Sequence, residues 1–192
     1  FLWEINEKYG VALAGMDGGN LRNAIAREAF ATIVIPEKEK ESIRVDFNLY
    51  LAGMEEVWKI TEPGLKMELE SADLPDRTLT AESTTRLLNA LYACSHGVFS
   101  MSYRMPGMVE TSTNLASVKF KGENTVVVTT SQRSDITSEK MNIAQMVASV
   151  FKLARAKVVH GEGYPGWTPD PDSAILKIAV ASYKKLFGKE PV

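Results

Sequence analysis

Apolar positions along the chain fall into two periods, one near 3.6 and one of 2, and the switches between them mark the elements. Phe1, Leu2, Ile5 and Tyr9 lie on one side of a helix over residues 1–9, closed by Gly10. A short strand is expected at Val11–Ala14, then a Gly18-Gly19 turn, then a β-branched strand from Ala31 to Ile35 stopped by Pro36. Between Glu37 and about Thr61 the period becomes helical, with Ile43, Phe47, Tyr50, Leu51, Met54, Val57 and Trp58 in one stripe. Leu65, Met67 and Leu69 alternate with Lys66, Glu68 and Glu70, the pattern of a half-buried strand.

Thr80 is a candidate N-cap for a helix carrying Leu87, Leu88, Leu91 and Tyr92, ended by Gly97. Strands are expected at Val98–Tyr103, Ala116–Lys121 and Thr125–Thr130, the last two joined by a Gly122-Glu123-Asn124 hairpin loop. Ile143, Val147, Val150, Phe151 and Ala154 mark a long helix, followed by a last strand at Lys157–His160. Glycines and prolines crowd residues 161–171 like a linker, and a helix with Leu176, Val180, Tyr183 and Phe187 follows, started by Asp172 or Ser173 and closed by Gly188.

This order, rich in hairpins and short of parallel winding, predicts an α+β fold: a two-layer sandwich with an antiparallel sheet and helices on one face. Residues 31–71 and 125–162 each read strand, helix, strand. A duplicated ferredoxin-like unit would produce that echo, and so would chance.

Composition narrows the class. The 192 residues are 45% hydrophobic and 24% charged, ordinary globular values, with a net charge of −2. That balance does not favour a nucleic-acid binder relying on phosphate neutralisation. Lone Cys94 excludes an internal disulfide framework and multi-cysteine zinc sites. No apolar run approaches the ~20 residues of a membrane span. A soluble, cytoplasmic protein is expected. The opening Phe1-Leu2-Trp3, already helical in pattern, and the abrupt end after Glu190-Pro191-Val192 read as cuts through a longer chain.

No complete catalytic constellation is visible. His96 and His160 stand 64 positions apart without ligand-spaced partners. Asp170 and Asp172 fit a helix-initiating turn better than a chelate. Cys94, on an apolar helix face, has no evident base and reads as structural. Two polar clusters are more informative. One is Gly18-Gly19-Asn20-Leu21-Arg22-Asn23-Ala24-Ile25-Ala26-Arg27-Glu28, which begins at a turn permitting close backbone approach. The other is Thr129-Thr130-Ser131-Gln132-Arg133-Ser134-Asp135, where an arginine at a strand end suits a carboxylate. Surface loops are polar in any case, so both readings stay open on the residues alone.

These clusters also carry a family resemblance. With Ala29-Phe30 added to the first, and with Glu110-Thr111-Ser112-Thr113-Asn114-Leu115, Arg133-Ser134, Ser138-Glu139-Lys140, Gly163-Tyr164-Pro165-Gly166-Trp167 and Pro169-Asp170-Pro171-Asp172-Ser173, the chain resembles the aminoacyl-histidine dipeptidases. These are dinuclear-zinc metallopeptidases related to glutamate carboxypeptidases.

The resemblance implies that residues 1–165 form most of a lid and dimerisation domain, and that 166–192 begin a return into the catalytic domain. It implies two zinc ions held by a catalytic domain outside this chain, a dipeptide substrate of the Xaa-His type, and a homodimer. No catalytic residue or metal ligand of the family falls within the 192 residues, so the segment alone should be inactive. Asn23 and Arg133 match the lid residues that hold substrate: Arg133 would grip the terminal carboxylate, and Asn23 would hydrogen-bond substrate or the developing oxyanion. Asn114, expected to begin a strand, is a third substrate-binding candidate. Ala26 stands where family members commonly have proline, which loosens φ in the Asn23 loop. The competing reading is a non-enzymatic, ferredoxin-like dimerisation or small-ligand module.

Overall fold

The computed structural model describes residues 1–122 and 125–191. The expected hairpin loop includes Glu123 and Asn124, which lie outside the described residues. Helix α1 spans Leu2–Tyr9. Strand β1 spans Ala12–Gly18 and β2 Ala29–Val34. After one 3-10 turn at Glu37–Glu39 come α2, Lys40–Trp58, and α3, Ala81–Ala93. Strands β3, Gly97–Met101, β4, Val109–Lys121, and β5, Thr125–Ser134, precede α4, Thr137–Leu153, and α5, Ala174–Phe187. The fold is α+β with a five-stranded antiparallel sheet, in the order β2-β1-β4-β3, with β5 also pairing β4.

Local signals place the helix ends. Gly10 takes φ 67° and its N–H closes onto the Asn6 carbonyl, while Glu4 and Lys8 sit at the ends of α1 that suit their charge. Thr80 caps α3, its hydroxyl accepting from the Ser83 N–H at 3.2 Å. Gly188 ends α5 in the left-handed region.

The strands depart further from expectation. β1 runs on to Gly18, so the glycine pair sits at the end of a strand. β4 begins at Val109 and β5 continues to Ser134, which puts Asn114 in mid-strand and Arg133 inside β5, not in a loop. Residues 65–70 and 157–160 belong to no strand among the described residues. Alternation and β-branching make a segment fit for a ladder; they do not supply the neighbour whose N–H and C=O complete it. The strand-helix-strand echo thereby loses its second strand in both copies.

The chain divides into two compact units. The first comprises residues 1–95, 114–131 and 146–159. One cluster in it joins Ile5, Val11 and Ile43 under Phe1, Tyr9 and Ile33; a second joins Ala90, Cys94, Val147 and Phe151 with Leu115 and Val128. Leu13 is fully buried, and its N–H is satisfied by the Thr84 hydroxyl at 3.2 Å. The stripe on α2 holds for Ile43 and Phe47, with Tyr50, Leu51 and Met54 half-buried, but Val57 and Trp58 are exposed. The second unit comprises residues 96–113, 132–145 and 160–192. None of the described residues of α5 is buried.

Candidate functional site

In the first unit, residues 19–28 close the β1–β2 hairpin. β1 and β2 pair antiparallel up to Gly18 opposite Ala29. Gly19, at φ 63°, then lays the loop against β4, so close that a Cβ there would overlap the Ala116 carbonyl oxygen and come within 3.1 Å of the Ala26 Cβ. Only a residue without a side chain permits that approach. Asn23 is exposed near the middle of the loop, between the exposed Arg22 and the half-buried Ala24.

The loop is held from below by Asn114. Its Nδ2 donates to the Arg22 carbonyl at 3.0 Å and to the Ala24 carbonyl at 2.8 Å. Two carbonyl partners fix which end of the amide faces the loop. Its Oδ1 is buried without a hydrogen-bond partner among the described residues.

In the second unit, Arg133 is exposed on β5. Its neighbours face the other way. The Gln132 Nε2 donates to the hydroxyl of buried Thr113 at 3.1 Å, and the Ser134 and Thr111 hydroxyls share a hydrogen bond of 2.9 Å. Because side chains alternate along a strand, anchoring residues 132 and 134 on β4 turns residue 133 to the opposite face. The end of β5 is further braced by the 163–168 segment. The Thr168 hydroxyl donates to the Asp135 carbonyl at 3.1 Å, and Lys140 donates to the Tyr164 carbonyl. Gly166 packs so closely that a Cβ would lie 2.5 Å from the Ser134 carbonyl oxygen. Residues expected to be only linker thus buttress the strand that carries Arg133.

The structure therefore brings Asn114 to the Asn23 loop in one unit and surrounds Arg133 with hydroxyl anchors in the other. Reading the sequence missed Gln132, Ser134 and Gly166 as supports. Their signal was present only as hydroxyls and glycines inside motifs already noticed. Burial pushes the Cys94 thiol pKa up, against a role as a thiolate nucleophile. An open cleft lined by Phe1, Glu4, Ile5, Lys8, Asp46, Leu49 and Tyr50 holds none of the three candidates, and its Lys8 and Asp46 pair with each other at 2.7 Å. Among the described residues no group of three or more His, Cys, Asp or Glu is placed to hold a metal ion. No helix among them is long and apolar enough to cross a membrane.

A sheet with hydroxyl-anchored strand ends is a scaffold for presenting polar side chains, and two known proteins that this chain matches are dipeptidases. The whole chain superposes on part of an aminoacylhistidine dipeptidase from Vibrio alginolyticus with a TM-score of 0.91 and 33% identity, covering 39% of that structure. It is also 34% identical over 185 residues, 96% of its length, to the cytosol non-specific dipeptidase of Escherichia coli K12. It spans 38% of that relative. No protein-family model matches the chain. The resemblance carried by the motifs is thus borne out: the chain is a relative of the aminoacylhistidine dipeptidases over less than two fifths of their length.

Proposed function

We propose that this chain is the lid-bearing segment of a metallo-dipeptidase acting on Xaa-His dipeptides, and that its task is to hold the substrate. The observation that carries this reading is the likeness, along the entire chain, to a solved aminoacylhistidine dipeptidase. Residues 1–165 are the lid, and 166–192 enter the catalytic domain. The unburied α5, with Ile175, Ile178, Leu186 and Phe187 exposed, supports the second assignment, because such a helix needs a further core to cover it. The metal ions, zinc by the resemblance, are held outside this chain.

Arg133 takes the terminal carboxylate of the dipeptide. Its guanidinium offers a planar pair of donors matched to two oxygens, on a strand face fixed by Gln132 and Ser134. Asn23 offers an amide to the peptide carbonyl or to the charge that develops on it. The protein is cytosolic, as the Escherichia coli relative is named, and it is a homodimer. β2 supports the dimer reading: it is a sheet edge with Phe30 65% exposed, which invites a second copy.

The test is hydrolysis of an aminoacyl-histidine dipeptide by the intact protein and by its Arg133→Ala and Arg133→Lys variants. Truncation should lower kcat/KM about a hundredfold, as expected when a desolvated charge pair loses one partner. Lysine should restore little, because it lacks the fork. The isolated 192-residue chain should be inactive. An intact protein that leaves such dipeptides uncut, or an Arg133→Ala variant of unchanged kcat/KM, defeats the proposal.

A further inference from the structure

The loop over residues 19–28 has little to hold itself. Its own backbone bonds are long: Gly19 N–H to the Glu28 carbonyl at 3.3 Å and Ala24 N–H to the Leu21 carbonyl at 3.4 Å. The shorter bonds come from outside, from the Asn114 Nδ2 to the carbonyls of Arg22 and Ala24. Those carbonyls straddle Asn23, one in the peptide group just before it and the other one residue beyond, so the backbone on either side of it is tied to one side chain. Two residues further along β4, Ala116 is the floor on which Gly19 rests. The loop therefore has two independent footings on a single strand.

Asn114 itself has nothing left for a ligand. Both Nδ2 hydrogens are committed, and Oδ1 is buried without a partner among the described residues. A buried orphan acceptor is a cost that an apolar residue of similar shape would avoid. A residue kept at that cost is one whose donors are needed. We propose that Asn114 is a positioning residue for substrate binding: it clamps the backbone on either side of Asn23, and so aims the Asn23 amide, without touching the substrate. This rests on the reading of Asn23 as a substrate-binding residue.

The experiment is a double-mutant cycle in the intact protein, with Asn23→Ala, Asn114→Ala and both, measured as kcat/KM on an aminoacyl-histidine dipeptide. Amide hydrogen exchange over residues 20–26 is followed in the same samples. Asn23→Ala and Asn114→Ala should each lower kcat/KM by about tenfold or more, and the double variant should be within about twofold of Asn23→Ala. Exchange in the loop should quicken in Asn114→Ala while β4 and β5 stay protected, which also shows that the variant is folded. Asn114→Leu, close in shape and without the orphan oxygen, should behave as Asn114→Ala and replaces it if that variant does not fold.

Losses that multiply in the double variant overturn the proposal, because Asn114 then acts on its own account. Unchanged loop exchange in Asn114→Ala overturns it as well. If Asn23→Ala leaves kcat/KM untouched, the substrate role of Asn23 fails and the positioning role falls with it. The exchange data then still tell whether the clamp itself exists.

Discussion

Gly10 and Gly19 share a positive φ, 67° and 63°, but differ in surroundings, and that contrast allows the footing of the Asn23 loop to be weighed. An alanine at Gly10 meets nothing within 4 Å. It bears only the penalty of a positive φ, about 1–2 kcal/mol, part of which is offset by the lower entropy of the unfolded chain. Gly10→Ala should therefore cost about 1 kcal/mol. An alanine at Gly19 bears the same penalty and in addition overlaps the Ala116 carbonyl oxygen, with the carbonyl carbon at 3.0 Å. That carbonyl belongs to β4, which is paired with β1 at Val118 and Lys119 and cannot easily yield. The loop must lift instead, straining or releasing the two Asn114 bonds, each worth about 1 kcal/mol net. The total for Gly19→Ala is about 3 kcal/mol. For a chain of this size that is a fall in Tm of about 6–12 °C, against about 2–4 °C for Gly10→Ala. Urea unfolding followed by circular dichroism gives both values. Costs equal to within about 0.5 kcal/mol, the usual error of additivity, would mean that the loop does not rest on Ala116, and the reasoning would fail.

Thr80→Ala removes the cap of α3 and should lower stability by about 1 kcal/mol, read by denaturant midpoint, with Thr80→Ser close to the parent. Asp46 accepts from Lys8 and from the Tyr9 hydroxyl, both at 2.7 Å, and these bonds hold its carboxyl below the usual carboxylate range. A lowered folded pKa stabilises above the unfolded value, near pH 4, and the contribution is lost as pH falls through the folded one. Asp46→Asn should therefore be less stable than the parent at pH 7, and the gap should close below about pH 4 and shrink with salt. Because burial raises the Cys94 pKa, iodoacetamide should label it slowly at pH 8 in the folded chain and rapidly in urea. Equal rates would place the thiol at the surface.

Amino-acid order by itself determined what local chemistry decides. The ends of α1, α3 and α5 follow from Gly10, Thr80 and Gly188, residues acting on backbone groups a few positions away. The core stripes through Ile5, Ile43, Phe47, Val147 and Phe151 follow from helical periodicity, and the dipeptidase resemblance follows from motifs that keep their order along the chain. Asn23 and Arg133 stood out because they match the substrate-holding lid residues that the resemblance implies, with side-chain types that fit those roles.

What required the tertiary structure is everything settled between distant positions. Residues 65–70 and 157–160 carry a strand pattern but gain no partner among the described residues, whereas β4 and β5 extend several residues past their apolar runs because each supplies the other's hydrogen bonds. Arg133 faces outward because Gln132 and Ser134 find hydroxyls on β4 some twenty positions earlier. Asn114 reads in the sequence as a third substrate-binding candidate at a strand start. Its place beneath Arg22 and Ala24 joins residues about ninety positions apart. A side-chain amide bonds whichever carbonyls the fold carries to it, and that choice belongs to the packing of β1 against β4.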